Sequence, residues 1–290
     1  MAHFAYGGSL GCPTRAPRTL PPMPTLQGAH VLVTGGSSGI GLATARLAVD
    51  RGARVSLIAR RADVLDEAAA SLRGAGGKVA VAAADVSDAG QVGAAVSALT
   101  EALGPVDIVV CSAGQARPGY FQDLDPDLFR SMMDVNYFGT VNVVREVVPA
   151  MIERRRGSVV GVSSAAGLSG VFGYTAYAPT KFAVRGFLES LRGELAPYGI
   201  HVGCSYPPDT DTPQLADENR YKPKETKEIS GTIKPLSAER VAKSIVAGIE
   251  KERFVIIPDT STKGLAKIVG IAPGLVNKVM DRSVKKARKT

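Results

Sequence analysis

Short apolar, β-branched runs recur along this chain at 30–34, 54–59, 78–84, 106–110, 158–162 and 200–205, and they alternate with stretches of helical spacing. That alternation constrains the fold more than any other feature. Runs apolar on both faces, each separated from the next by a helix, predict a Rossmann-type α/β fold: one doubly wound parallel sheet with helices on both faces. A single sheet of this kind accommodates most of a 290-residue chain, and 45% hydrophobic residues suffice for its core. No run of apolar residues is long enough to cross a bilayer. In such a sheet ligands bind beyond the carboxyl ends of the strands, so the chemistry is sought there.

The first run leads into Gly35-Gly36-Ser37-Ser38-Gly39-Ile40-Gly41 and then a helix. Strand, glycine turn and helix together bring backbone amides against a pyrophosphate. The spacing is G-x-x-x-G-x-G and not the commoner G-x-G-x-x-G. Gly35, Ser37, Ser38, Gly39, Ile40 and Gly41 are therefore candidate cofactor contacts. The second run ends in Arg60-Arg61, where an NAD site ordinarily offers an acid to the ribose. Forked guanidinium donors suit a phosphate dianion, which points to NADP(H). Asp85 and Val86 end the third run within reach of an adenine, and Gly114 follows the fourth.

Ser164 follows the fifth run, and Tyr177 and Lys181 stand four apart on the next helix. That spacing puts a phenol and an ammonium on one helix face, where the positive charge is expected to pull the tyrosine pKa down toward neutrality. Such a tyrosine exchanges a proton with a carbonyl or alcohol oxygen, and Ser164 could hydrogen-bond the same atom. Pro179 lies between them, tolerable only in the first turn of the helix.

With Thr34-Gly35-x-x-x-Gly39-Ile40-Gly41, Asn136, Ser164, Tyr177 and Lys181 in this order, the chain resembles the short-chain dehydrogenases/reductases over about residues 28–257. The resemblance implies that Tyr177 is the acid/base and that Ser164 polarises the carbonyl. It further implies that Lys181 holds the nicotinamide ribose, and that Asn136 positions a water behind Lys181. It also implies pairing of subunits, as a homodimer or homotetramer, through the long helices around Asn136 and Tyr177. Cys111-Ser112-Ala113-Gly114 departs from the family's Asn-Asn-Ala-Gly.

After the sixth run, Tyr206-Pro207-Pro208-Asp209-Thr210-Asp211-Thr212-Pro213 replaces the family's usual Pro-Gly. Together with 172–177 and 181–186 it resembles the 3-ketodihydrosphingosine reductases, which use NADPH on a long-chain amino ketone. Pro207, Thr210 and Thr212 are candidate cofactor contacts on this resemblance. Asp209 or Asp211 could pair with the substrate ammonium, or could instead cap loop amides. Reduction of a steroid, retinal or 3-oxoacyl group is the alternative within enzymes. Outside enzymes, the alternative is a protein that only senses NADP(H).

Three domains are expected: a flexible leader at 1–28, the catalytic domain at 29–258, and a basic amphipathic extension at 259–290. Residues 207–236 are read as a lid over the site, polar and without its own periodicity. Ser237 caps a helix over 238–250, and 254–257 is read as a last buried strand. Most of the net charge of +8 belongs to this extension: the 28 residues of 263–290 carry eight Lys/Arg and one acid. Apolar positions among those lysines fit either an interfacial helix on an anionic bilayer or a helix packed against protein. No aromatic residues interleave the cluster, so nucleic acid is not the expected partner. Cys12, Cys111 and Cys204 show no metal-ligand spacing and leave one thiol over in any pairing, which predicts a reducing, cytoplasmic setting with peripheral membrane contact at most.

Overall fold

The structure is a computed structural model that describes residues 25–231 and 234–289. The expected leader lies almost wholly outside the described residues. Seven parallel strands form the central sheet: β1 (His30–Thr34), β2 (Arg54–Ala59), β3 (Lys78–Ala83), β4 (Ile108–Cys111), β5 (Gly157–Val162), β6 (Ile200–Ser205) and β9 (Val255–Ile256). Their order is β3-β2-β1-β4-β5-β6-β9. The chain winds outward from β1 in one direction and then restarts beside it with β4. The crevice between these two strands is therefore the switch point at which open α/β sheets bind ligands.

Helices α1 (Gly39–Asp50), α2 (Ala62–Gly74) and α9 (Ala238–Glu250) cover one face. Their Ala45, Ala48, Leu65, Val241 and Ile245 close on Val31, Val33, Val55 and Leu57. On the other face lie α3 (Ala89–Leu103), α5 (Gly139–Arg154) and α6 (Ala178–Leu195), packed through residues such as Val92, Val143 and Leu188, while Met132 of α4 (Pro126–Met133) joins a separate cluster with Ala116, Ala166, Tyr174 and Tyr177. Helix starts follow the chemistry of their leading residues: Asp88 accepts from the amides of Gly90 and Gln91, and Ser237 accepts from that of Arg240.

Polar side chains inside the strands pair across the sheet. His30 on β1 hydrogen-bonds Ser56 on β2 at 2.7 Å, and His201 on β6 hydrogen-bonds Ser158 on β5 at 2.8 Å. The second ring nitrogen of each histidine meets a backbone carbonyl, that of Gly104 or Arg253. Burial holds both imidazoles below the usual histidine range, so they serve as neutral struts at the amino end of the sheet.

The chain is helical without interruption from Pro126 to Arg154, with a π-helical turn at Asp134–Phe138 joining α4 to α5. Two expectations change. The buried strand expected over 254–257 shrinks to two residues at the sheet edge, and Val255 is 52% exposed because nothing pairs beyond it. The polar lid is largely helical. It contains α7 (Pro213–Tyr221) and α8 (Lys224–Ser230), flanked by the short parallel pair β7 (Thr210–Asp211) and β8 (Leu236–Ser237). Thr212 caps α7 and Pro213 opens it, a start signal hidden inside the Thr/Pro run.

The extension forms a helical hairpin, α10 (Thr260–Ile271) and α11 (Pro273–Ala287), that folds back over the lid. Arg288 donates to Glu225 of α8 at 2.9 Å and lies 5.9 Å from the centre of the Phe172 ring. Among the described residues no helix is long and apolar enough to cross a membrane.

Candidate active site

One cavity of about 880 Å³ opens along the carboxyl ends of the strands. At its floor Gly35 has a φ of +65°, and a Cβ there would lie 2.9 Å from Ala113 Cα. The turns after β1 and β4 thus touch at the switch point. At Gly41 a Cβ would stand 2.3 Å from the carbonyl oxygen of Gly35, so the helix can begin this close to the strand only with glycine. No side chain caps α1 at Ser38, which leaves its first amides to face the cavity.

Arg60 and Arg61 line the far end with Asp85 and Val86. Asp85 accepts from the backbone amide and hydroxyl of Ser87, and Arg60 stands 4.0 Å from its carboxylate. That Arg60 pair is largely solvated and holds the guanidinium weakly. Pro207, Thr210 and Thr212 also line the cavity, with Thr212 packed against Gly39.

At the opposite end the sheet delivers Ser164 and α6 delivers Tyr177 and Lys181. Tyr177 immediately precedes α6 and Pro179 falls in its first turn, as the sequence requires. Ser164 accepts from the Ala166 amide at 3.1 Å, and its hydroxyl stands near enough to the Tyr177 phenol to favour the phenolate. Lys181 Nζ donates to the Val162 carbonyl at 3.0 Å and lies 5.6 Å from the centre of the Tyr177 ring.

The expected lowering of the Tyr177 pKa is not found. Burial pushes the phenol upward, and the negative charge of Glu218 adds to this. Burial also brings Lys181 down to about 8, and its charge does not offset the desolvation of Tyr177. A neutral phenol remains the form that donates a proton to a carbonyl oxygen.

Asn136 sits within the π-helical turn, 1% exposed. Its side chain accepts from the Gln115 amide at 2.8 Å and donates to the Gln115 carbonyl and to Thr180 at 2.9 Å. It therefore clamps the loop after β4 to the helix that carries Lys181. At Gly114 a Cβ would come within 3.1 Å of Asn136 Oδ1 and 3.5 Å of Lys181 Nζ, so this glycine keeps the passage open.

The two acidic candidates separate. Asp209 lines the cavity, but its carboxylate already accepts from Lys222 Nζ at 2.8 Å. Asp211 points outward from β7 and does not line the cavity, because strand alternation turns Thr210 inward and its neighbour away. In their place the lid brings Glu218, which lines the cavity at 7% exposure. Its position in a polar segment without visible periodicity hid it. Leu265 and Met280 of the C-terminal hairpin also reach the cavity wall.

Cys111 and Cys204 are buried free thiols pushed up to about 12 by burial, which makes them inert packing residues. Among the described residues no cluster of metal-ligating side chains occurs.

The short chain dehydrogenase family model matches residues 29–223, and this chain belongs to that family. It is 42% identical over 266 residues to the 3-dehydrosphinganine reductase of Danio rerio, spanning 86% of this chain and 79% of that protein. To the 3-ketodihydrosphingosine reductase of Bos taurus it is 43% identical over 264 residues, with the same shares covered. Among solved structures, the actinorhodin polyketide ketoreductase with NADPH superposes with a TM-score of 0.74 at 29% identity, over 81% of this chain and 97% of that one. A short-chain dehydrogenase/reductase of Burkholderia phymatum in complex with NAD gives 0.77 at 25% identity, over 85% and 94%.

Proposed function

We propose that this chain reduces the 3-keto group of a long-chain amino ketone, 3-ketodihydrosphingosine or a close relative, to the secondary alcohol with NADPH. The observation that carries this reading is a single cavity with two arginines at one end and Ser164, Tyr177 and Lys181 at the other. The relatives named for this reaction match well beyond the family segment, across the lid.

The residues present suit the cofactor. Gly35, Ser37, Ser38, Gly39, Ile40 and Gly41 would cradle the pyrophosphate and Arg60 with Arg61 the 2′-phosphate. Asp85, Val86 and Gly114 would border the adenine and ribose, Lys181 would hold the nicotinamide ribose, and Pro207, Thr210 and Thr212 would close over the ring. The bound cofactor supplies hydride to the carbonyl carbon. Ser164 donates a hydrogen bond to the carbonyl oxygen, and Tyr177 gives that oxygen its proton as charge develops there. Asn136 positions Lys181 by fixing the loop and helix on either side of it, from where a water could carry protons inward. Val171, Leu215, Ile229, Leu265 and Met280 give the cavity an apolar wall along which an alkyl chain would be buried at ~0.8 kcal/mol per methylene.

NADPH oxidation measured across long-chain amino ketones, 3-oxoacyl thioesters, retinals and steroids tests the reading. The amino ketone is expected to give the highest kcat/KM. A higher value for any other class contradicts the reading, and binding of NADPH without turnover of any ketone would leave the sensing alternative.

Exchanging Arg60 for glutamate is expected to raise KM for NADPH by ~10-fold or more, since it replaces a phosphate donor by a like charge. KM for NADH should change much less. Equal shifts for both coenzymes would remove the arginine from the phosphate site.

The C-terminal hairpin would carry the enzyme to its lipid. Ile268, Ile271, Leu275 and Val279 form an exposed apolar outer face, with Ile271 85% exposed, beside the exposed Lys263, Lys267 and Lys278. Such a face suits peripheral contact with an anionic bilayer from the cytoplasm. Flotation with phosphatidylserine vesicles should be reduced at least ~10-fold by Ile271→Glu with Leu275→Glu. Undiminished flotation, or none by the parent chain, contradicts the contact. Phe138 and Phe182, exposed beside the π-helical turn and on α6, offer a face for pairing of subunits into a dimer or tetramer.

A further inference from the structure

Glu218 is a buried acid that takes no part in hydride or proton transfer. It projects from α7 into the same cavity as Ser164 and Tyr177. Its carboxylate accepts from the Tyr174 hydroxyl at 2.9 Å and from Gln214 Nε2 at 2.9 Å, both uncharged donors. Among the described residues no lysine, arginine or histidine nitrogen lies within 4.0 Å of it.

The neighbouring acids are all provided for. Asp209 is paired with Lys222, and Glu225 is held by Arg288 and Tyr120. Asp85 lies at the arginine end. A carboxylate removed from water without a cation in contact is costly: burial raises the Glu218 pKa, and Lys222, paired with Asp209, offsets this only from a distance.

The position of Glu218 relative to the reacting end is fixed by two rings. Tyr174 bonds its carboxylate and stands 5.6 Å, centre to centre, from Tyr177. Its charge is felt at both Tyr177 and Lys181.

We infer that Glu218 receives the ammonium group carried on the carbon next to the substrate carbonyl, making it the residue that selects amino ketones over plain ketones. The inference rests on the amino-ketone reading of the site. The inference puts the carbonyl oxygen between Ser164 and Tyr177 and turns the adjacent ammonium toward the part of the cavity wall that Tyr174 and Glu218 form. Binding gives the carboxylate a cation in direct contact and seats α7 over the substrate at the same time.

Glu218→Gln keeps the size of the side chain and one acceptor oxygen, and removes the charge. The quantity to measure is the ratio of kcat/KM for the amino ketone to that for the deaminated ketone of equal chain length. We expect the ratio to fall at least ~50-fold in Glu218→Gln, as for a buried polar group deprived of its partner, and to be restored in part by Glu218→Asp. A wild type that prefers the amine, with that preference intact in the variant, overturns the assignment of Glu218 alone. A wild type that shows no preference overturns the amino-ketone reading together with it. A measurement on the wild type avoids dependence on the fold of any variant: a saturated long-chain amine should compete with the ketone at least ~10-fold better than the matching alcohol. Equal inhibition by the two contradicts the inference.

Discussion

Tyr177→Phe is expected to lower kcat at least ~10³-fold while leaving the Kd for NADPH within about twofold, because it deletes a proton donor and little else. The ring itself is buried among Ala116, Met132, Ala166, Tyr174 and Ala178, so phenylalanine fills the same space. Only the hydroxyl, which faces Ser164 across the cavity, is lost. Stopped-flow turnover with fluorescence titration of the coenzyme separates the two quantities. A variant that retains a tenth or more of wild-type kcat would move the acid to another group. Tyr174 is the nearest candidate, but its phenol is committed to Glu218 and is raised further still by burial.

Lys181→Met is expected to do two opposite things. Activity should fall ~10²-fold or more, since a charged donor that orients the reactants is removed. Stability at pH 7 should nonetheless hold or rise, by up to ~2 kcal/mol, because a buried ammonium with one carbonyl partner gives way to an apolar chain of similar length. The pH dependence follows from the lysine value of about 8 in the folded protein. Below that pH both folded and unfolded chains hold the proton, and the cost of burying it is constant. Between about 8 and the ordinary lysine value of about 10.4 the unfolded chain holds a proton that the folded one has released. Wild-type stability therefore gains from this group as pH rises through that window, by at most ~3 kcal/mol. Urea denaturation of both proteins from pH 7 to 10.5 checks it: the stability gap in favour of Lys181→Met should narrow with rising pH. A gap independent of pH would mean that Lys181 is not the buried cation described.

The parallel sheet and its chemistry at the carboxyl ends were legible because each rests on local signals. Apolar runs with helical spacers mark strands and crossovers, and Gly35, Gly39 and Gly41 mark a turn that only glycine can make. Tyr177 and Lys181 were legible as a pair through helical spacing. What spacing could not convey was desolvation: the pKa of Tyr177 is set by what surrounds it in three dimensions, not by the residue four positions on. The π-helical turn at Asn136 escaped for a related reason, since it is held by tertiary bonds to Gln115 and Thr180 with no sequence signature of its own.

The lid was legible in place but not in content. Its polar sequence concealed two helices and the buried Glu218, because burial of that acid depends on Tyr174, 44 residues earlier, as well as on Gln214 one turn before it on α7. Asp209 and Asp211 drew attention by proximity to the sixth strand. Lys222, thirteen residues beyond Asp209, decides the role of the first, and the alternation of β7 decides that of the second. The C-terminal hairpin was read as either packed or membrane-facing. Its inner side packs on α8 and lines the cavity through Leu265 and Met280, while its outer side stays apolar and exposed.

Transfer of label from the coenzyme tests the central claim most directly. NADPH carrying deuterium at the transferring position of the nicotinamide C4 should yield, from 3-ketodihydrosphingosine, a secondary alcohol with the deuterium on the former carbonyl carbon, seen by mass spectrometry, and none from the Tyr177→Phe variant on the same timescale. Alcohol formed without the label, or labelled alcohol formed equally well without the Tyr177 hydroxyl, would contradict the account.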